Sequence, residues 1–274
     1  MSTTPLTDAI NALTRYANET TGASDTTLSD AVGTLVAGYG GGAGGISIDE
    51  IATNTAPSGA ITLGSGVTTI ADYAFAGKPI TSIIAPSVID VKTYALQNTQ
   101  IESITDTNFP VLGVSGRYPI FLRMPSLKNI KLTGGNIALA NGSGGLRDNT
   151  NLLTAEFPNA ARDVGASYVS LGQSFFYGDN KMTLADVGYI STIGNLAFYN
   201  CNKLATLILR SGSVVTLSNL NAFQNTPMRG YQSQTGTIYV PSSLVSSYQT
   251  ATQWATLYNE GHVTFVAIEG SPYE

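Results

Sequence analysis

Residues able to carry out chemistry are few in this chain, and they do not cluster in the sequence. His262 is the only histidine and Cys201 the only cysteine, which excludes a metal centre built from several histidines or from histidine and paired cysteines. A Ser-His-Asp triad would have to use His262, and no Gly-x-Ser-x-Gly turn accompanies it. The lone cysteine also excludes an internal disulfide. We therefore expect no catalytic residue, no metal site and no cofactor.

Carboxylates are the remaining candidates for acid–base chemistry. They lie scattered along the chain, at Asp49, Glu50, Glu102, Asp106, Asp148, Glu156, Asp163, Asp179 and Asp186. Two of them could meet across neighbouring repeats and resemble the acid–base pair of a glycoside hydrolase, whose carboxyl groups lie about 5–10 Å apart. A solvated surface is the simpler interpretation. Two carboxylates in one cleft would distinguish an enzyme from a binding protein.

Tyrosine is the residue type best placed to form a binding face. Its flat apolar ring and polar tip suit the recognition of glycans or proteins. Tyr73 and Tyr94 hold equivalent places in a recurring phrase, so they are expected to be half-buried residues of the repeat. Tyr118, Tyr168 and Tyr177 fall in less regular segments, and we predict that these three contact a ligand.

A repeated pattern of apolar residues must position these side chains. Its first copy contains Ile70, Ala74-Phe75, Ile80 and Ile83, and its second contains Val91, Ala95-Leu96, Ile101 and Ile104. The spaced aliphatic residues of the second copy each lie 21 residues after their counterparts. A fixed period near twenty residues predicts a solenoid, in which each coil buries its apolar face against its neighbours. Later copies are looser, so we expect extra residues there to loop out.

The repeated phrase resembles the leucine-rich repeats of BspA type. Ile70-Ala-Asp-Tyr73-Ala74-Phe75 and Ala197-Phe198-Tyr-Asn-Cys201-Asn-Lys-Leu204 match the family's wording closely. The resemblance covers residues 61–241 and departs from the family phrase between 111 and 190. It implies a mainly β fold with some α, a leucine-rich-repeat solenoid over residues 46–240, and a scaffold for adhesion or ligand binding. In this phrase Cys201 occupies a buried structural slot.

The N-terminal residues 1–39 are predicted to form a separate helical segment for attachment or oligomerisation. Leu6, Ile10 and Leu13 share one helical face, and a second apolar face follows from Leu28 to Tyr39. Such short helices would pair as a hairpin, dock on the first coil, or associate with other copies. Residues 40–45 read as a glycine-rich linker, because a nucleotide-binding fingerprint would need a strand before this segment and a helix after it.

Residues 241–274 are predicted to form a C-terminal cap made of a helix and a strand. Ser242 or Ser243 could cap the helix, which carries an apolar face that includes Tyr248 and Trp254. Residues 261–268 then alternate as a final strand. A solenoid needs such a cover at its open end.

Composition narrows the function classes. Charged residues make up 11% of the chain, against about 25% in ordinary soluble proteins. The net charge is −5 and Lys and Arg form no cluster, which argues against nucleic acid as a partner. No apolar stretch is long enough to insert in a membrane. The first residues carry no basic segment and no apolar run, so a secretory signal is not expected.

These observations lead to three hypotheses. The first is a non-enzymatic virion component of phage or prophage origin, such as a tail-fibre or receptor-binding protein. It would contact a glycan or protein of the bacterial surface, and residues 1–39 would join it to other virion proteins or to itself, for example as a homotrimer. The second is a bacterial adhesion protein of the same fold at the cell surface. The third is a glycan-degrading enzyme.

Overall fold

The structure, a computed structural model, describes residues 58–64, 66–70, 73–88, 90–91, 94–107, 121–134, 137, 139, 145–163 and 170–274. The predicted N-terminal helical segment 1–39 and the glycine-rich linker 40–45 lie outside these residues. Two of the three predicted ligand-contacting tyrosines, Tyr118 and Tyr168, lie outside them too.

Short strands dominate the described part of the chain. The strands are β1 (Gly59–Thr62), β2 (Thr69–Ile70), β3 (Ile80–Ile84), β4 (Asp90–Val91), β5 (Ser103–Thr105), β6 (Asn129–Lys131), β7 (Thr154–Glu156), β8 (Ser170–Leu171), β9 (Leu184–Asp186), β10 (Thr192–Ile193), β11 (Thr206–Ile208), β12 (Thr216–Leu217), β13 (Gly236–Val240) and β14 (Val263–Ala267). The α-helices are α1 (Val245–Thr250) and α2 (Trp254–Asn259), and 3-10 turns lie at Leu220–Phe223, Pro227–Arg229, Tyr231–Ser233 and Ser242–Leu244.

All strand pairs among the described residues are parallel. The largest sheet has the order β14-β13-β11-β9-β7-β6-β5, a second has the order β12-β10-β8, and β1-β3 and β2-β4 form pairs. The Gln100 amide donates to the Ile80 carbonyl at 2.9 Å and links the coil of β3 to the coil of β5. The prediction of a mainly β repeat fold with some α is confirmed.

One inward position of each strand in the largest sheet builds the core. Side chains alternate across a strand, so the middle residue points inward while its neighbours point outward. The residues at this position lie in register and are buried: Ile104, Ile130, Ala155, Ala185, Leu207, Ile238 and Phe265. Strands β6, β7 and β9 keep this register although the coils between them differ in length. This constant register agrees with the expectation that the extra residues of the longer coils lie outside the stack of strands.

The turn that follows the short strands bends the backbone into the left-handed region at a fixed place in each coil. The residues there have φ between 50° and 82°, and they are Gly77, Asn98, Arg123, Asp148, Gly178, Asn200 and Asn225. Glycine, asparagine and aspartate tolerate this region best, which explains their frequency at the position. Asn225 Nδ2 also donates to Asn200 Oδ1 at 2.8 Å, so the position forms a ladder across coils.

Asn200 tests this backbone requirement. We expect Asn200→Ala to be less stable than Asn200→Gly by about 1 kcal/mol, because alanine pays a steric cost at positive φ that glycine avoids. Both variants lose the same amide. The measurement is the free energy of unfolding from urea denaturation.

Asn202 provides the matched control, because it lies two residues away without positive φ and its amide also donates to the next coil, at the Asn225 carbonyl. There the order of the two substitutions should reverse, since glycine costs more backbone entropy than alanine. Equal stability of Asn200→Ala and Asn200→Gly would contradict the explanation.

A buried row of polar residues runs through the inside of these turns. Asn149 Oδ1 accepts the Met124 amide at 2.8 Å, and Asp179 Oδ1 accepts the Asn149 amide at 2.7 Å. Cys201 is a free, fully buried thiol whose Sγ donates to the Phe176 carbonyl at 3.0 Å. Burial raises the pKa of both the Cys201 thiol and the Asp179 carboxyl well above their usual values. Asp179 Oδ2 has no hydrogen-bond partner among the described residues.

Aromatic residues form a second buried row beside it. The Phe176 and Phe198 rings stack with centroids 5.2 Å apart, the Phe198 and Phe223 rings with centroids 5.3 Å apart. Phe175 adds a large ring where the equivalent residues of the next two coils are Ala197 and Ala222. The preceding coil has Gly145 at this place, and a Cβ there would overlap the Phe175 ring. A large residue in one coil is thus matched by the absence of a side chain in its neighbour.

The row of rings ends on the C-terminal helices. Trp254 in α2 is 1% exposed, lies 5.9 Å from the Phe223 ring and donates from Nε1 to the Val215 carbonyl at 2.6 Å. The Val215 amide in turn donates to the Tyr248 hydroxyl at 2.9 Å, and burial raises the pKa of Tyr248 to about 12. Strand β14 pairs with β13 along its whole length. These contacts attach the last helices and strand to the repeats.

Candidate functional site

The outward face of the largest sheet carries ion pairs that run from one coil to the next. Lys128 Nζ lies 2.8 Å from Glu102 Oε2, and Lys131 Nζ lies 2.9 Å from Glu156 Oε2. These pairs are exposed, so each contributes little to stability. Each pair places a lysine beside a carboxylate of the neighbouring coil.

Glu156 and Asp186 are the carboxylates that the fold brings together. They occupy paired positions on β7 and β9, which is the arrangement that the enzyme hypothesis requires. The Asp186 side chain is only 4% exposed, and Arg210 donates to its Oδ2 from Nε at 3.0 Å and from Nη2 at 2.8 Å. Asp186 Oδ1 accepts the Gly188 amide at 3.1 Å. A substrate therefore has no open path to either oxygen of Asp186.

Burial raises the pKa of Asp186, and Arg210 opposes that rise. Arg210 Nη2 also donates to the Tyr273 carbonyl at 2.8 Å, and the Tyr273 ring packs 4.7 Å from that of Tyr239 on β13. The C-terminal residues thus lie over this end of the outward face. The Asp186–Arg210 pair acts as a structural link between β9, the segment after β11 and the segment that contains Tyr273.

Arg210→Leu tests this link. We expect a loss of about 3–5 kcal/mol in the free energy of unfolding at neutral pH, because Asp186 would be left buried and unpaired. Arg162→Leu, which removes the exposed partner of Asp163, should cost less than about 1 kcal/mol.

The loss in Arg210→Leu should shrink as the pH falls. The folded-state pKa of Asp186 lies above its ordinary value, so the folded state binds the proton more tightly than the unfolded state. Stability contributed by this group is therefore lost as the pH rises from the ordinary value through the raised pKa. Removing Arg210 raises the pKa further and widens this window. Urea denaturation at a series of pH values measures it, and a loss independent of pH would contradict the assignment.

The turns with positive φ carry a second surface, which we call the arginine–tyrosine ledge. It consists of Arg123, Arg147, Asp148, Tyr177 and Tyr199. The Arg147 guanidinium lies 4.6 Å from the centre of the Tyr177 ring. The Tyr177 and Tyr199 rings stack with centroids 5.0 Å apart and planes within 7°. Arg123 and Arg147 both donate from Nε to Asp148 Oδ2, at 3.4 Å and 3.3 Å.

Tyr177 is the only predicted ligand-contacting residue that the structure describes. It is half-buried, because Arg147 covers one side of its ring and Tyr199 the other. With the ring between these two groups, a ligand would meet the ring edge and the neighbouring guanidinium. The prediction that Tyr177 contacts a ligand stays a prediction.

Sequence reasoning missed the arginines of the ledge. Arg123 and Arg147 lie in the segment where the family phrase is hardest to recognise, and their alignment with Tyr177 depends on where each turn begins. A signal was present, since Leu146-Arg147-Asp148 parallels Phe198-Tyr199-Asn200, and Leu152 and Leu204 each follow four residues later. Recognising it required the left-handed position, which only the backbone reveals.

No group of three or more His, Cys, Asp or Glu side chains in the described part of the chain is arranged to hold a metal ion. His262 Nε2 lies 3.7 Å from Glu260 Oε2, which is also 3.3 Å from Arg229 Nη1. No helix among the described residues is long and apolar enough to span a bilayer.

Comparison with known proteins places the repeats in a family. A model of the BspA type leucine rich repeat region matches in six copies, over residues 53–168 and 169–254. The chain belongs to this family. The residues matched by this BspA-type model include the ledge and the Asp186–Arg210 pair.

No curated protein matches the chain. Among solved structures, the chain is similar to a leucine rich cell surface protein from Faecalibacterium prausnitzii A2-165, with 17% sequence identity and a TM-score of 0.41. The match covers 74% of this chain and 62% of that protein, so the BspA-type repeat chain spans less than two thirds of its relative.

Proposed function

We propose that this BspA-type repeat protein is a non-enzymatic binding protein that contacts a bacterial surface glycan or protein. The observation that carries the proposal is the arginine–tyrosine ledge, where cationic and aromatic side chains from successive coils form one partly exposed surface. Aromatic residues and arginine are the types enriched where proteins bind partners. Membership of the repeat family supports a scaffold role.

The absence of catalysis is part of the proposal. Glu156 and Asp186 are adjacent, but a retaining or inverting glycosidase needs an acid and a base that both reach the sugar. Asp186 is enclosed by Arg210 and the Gly188 amide, and Glu156 is paired with Lys131. We propose no cofactor, no nucleic-acid partner and no membrane insertion.

The finer proposal concerns architecture and setting. We propose one solenoid over residues 46–240, a cap over 241–274 and an attachment segment over 1–39 that joins other virion proteins or further copies of the chain, for example as a trimer. In this version the protein is a phage tail-fibre or receptor-binding component located in the virion. The alternative is an adhesion protein at the bacterial cell surface.

Binding to whole bacteria, together with an assay for glycan cleavage, tests the function. We expect the fluorescently labelled full chain to bind bacterial cells in a saturable way and to release no reducing ends from their surface glycans. Glu156→Gln should leave both results unchanged. Released reducing ends that disappear in Glu156→Gln, but persist in the control Glu102→Gln, would establish the enzyme instead.

The mass of the full chain separates the two settings. We expect light scattering to give a defined oligomer for the full chain and a monomer for a chain that begins at Ile46, because the apolar faces of residues 1–39 would be buried between copies. Monomers in both cases would contradict an assembly role for residues 1–39 and favour the adhesion alternative.

A further inference from the structure

The arginine–tyrosine ledge contains two arginines that share one carboxylate. Elsewhere in the described residues each arginine has a carboxylate of its own, as in Arg162–Asp163, Arg210–Asp186 and Arg229–Glu260. Arg123 and Arg147 instead both donate to Asp148 Oδ2. Two guanidinium groups against one carboxylate leave one net positive charge on the surface of a protein whose net charge is −5.

Both arginines are held by Nε, so the terminal nitrogens of their forks remain available. No Nη atom of Arg123 or Arg147 makes a hydrogen bond or ion pair to a described residue. The side chains are 58% and 40% exposed. A guanidinium fork of this kind matches a planar carboxylate, which it can bind through two parallel hydrogen bonds.

Asp148 is fixed in place before any ligand arrives. Its amide donates to the Tyr177 carbonyl at 2.8 Å, and its Oδ1 lies over Gly178, where a Cβ would come within 2.6 Å. Gly178 has φ of 82°, so the absence of a side chain leaves room for the carboxylate. The Tyr177 ring holds Arg147 from the other side. Such pre-organisation lowers the entropic cost of binding.

Asp179 lies behind the ledge and is fully buried. Burial raises the pKa of this carboxyl well above its usual value; the hydrogen bond from the Asn149 amide opposes the rise, and the charge of Asp148 adds to it. A raised pKa favours the uncharged form of this carboxyl, so it opposes the positive charge of the ledge less than an ordinary aspartate would.

The ledge continues beyond the arginines as a row of hydroxyl and amide groups. The hydroxyls of Tyr177 and Tyr199 make no hydrogen bond to a described residue, and Asn200 follows at the ladder position next to them. Successive coils are about 4.8 Å apart, so the row from Arg123 to Tyr199 extends over about 15 Å. A ligand that fills it must carry an anionic group and a run of hydroxyls and ring CH groups.

We propose that the arginine–tyrosine ledge binds an acidic polysaccharide, with Arg123 and Arg147 holding the carboxylate of a uronic acid unit and Tyr177, Tyr199 and Asn200 contacting the adjoining sugar units. This site rests on the proposed function and specifies its ligand class. One net positive charge matches one carboxylate, and the second fork can then bind the ring and glycosidic oxygens of the same unit.

Titration of the full chain with paired polysaccharides tests the proposal. Polygalacturonate is the probe, and its fully methyl-esterified form is the control, because esterification removes the charge and keeps the sugar backbone. We expect polygalacturonate to bind and the ester to bind at least tenfold more weakly, since charge-assisted hydrogen bonds are lost. Raising the salt concentration should weaken binding moderately, because only one net charge is involved.

Variants locate the site. Arg123→Gln with Arg147→Gln should weaken polygalacturonate binding at least tenfold, whereas Arg162→Gln, which also removes one exposed arginine, should not change it. Arg147→Lys keeps the charge and loses the fork, so it should weaken binding by severalfold. Thermal unfolding checks that each variant is folded. If the double variant is unfolded, Arg123→Gln alone serves, because the Arg123 side chain contacts only Asp148 by hydrogen bond among the described residues.

The outcomes separate the two proposals. Polygalacturonate binding that the ledge variants leave unchanged would overturn the ledge and keep the binding function. Binding of a glycerol-phosphate polymer with no binding of polygalacturonate would overturn the carboxylate assignment. Failure of the full chain to bind both polysaccharides and whole bacterial cells would overturn the proposed function itself.

Discussion

The backbone hydrogen bonds between successive coils control everything else in this protein. Because each coil donates to the equivalent carbonyl of the next, a side chain comes to lie directly over its counterpart at the spacing of β-strands. The side chain at each position of the repeat must therefore pack against the side chain at the equivalent position of the next coil. Rings meet this demand by stacking, as Phe176, Phe198 and Phe223 do, and amides meet it by bonding to each other, as Asn200 and Asn225 do.

Charged residues cannot follow the same rule, because like charges on adjacent strands repel. On the outward face, opposite charges meet across coils in the Lys128–Glu102 and Lys131–Glu156 pairs. Where two carboxylates do fall side by side, at Glu156 and Asp186, one is buried and held by Arg210. The ledge is the opposite case, in which two arginines fall side by side and one carboxylate serves both. Like charges on neighbouring coils thus occur here once as a structural link and once as a surface able to accept an external charge.

The sequence was sufficient to predict the repeat and the direction of its core, because aliphatic residues at a fixed interval report burial directly. Ile83 and Ile104 lie in the core as the spacing of 21 residues indicates. It was not sufficient to predict the surface. The neighbour of Glu156 is Asp186, which lies 30 residues later, and the register that pairs them depends on residues that leave the ladder between them. The enclosure of Asp186 further depends on Arg210, which is itself held by the Tyr273 carbonyl.

The site residues were hard to predict for a related reason. Tyr177 was recognisable by type, whereas the meaning of Arg147 depends on its being the counterpart of Tyr177 one coil earlier. That correspondence follows from the left-handed backbone position shared by Asp148 and Gly178, which residue types alone indicate weakly.

The packing of Phe175 against Gly145 limits how the number and order of the coils can change in evolution. Coils that look interchangeable in sequence are fitted to particular neighbours, since the ring of Phe175 occupies the space that a side chain on Gly145 would need. If a single coil here were duplicated, deleted or exchanged, the Phe175 ring would face a coil that has a side chain where Gly145 has none, and the two would overlap. The array is thus an ordered series, and its middle section can lengthen or shorten only when adjoining coils change together.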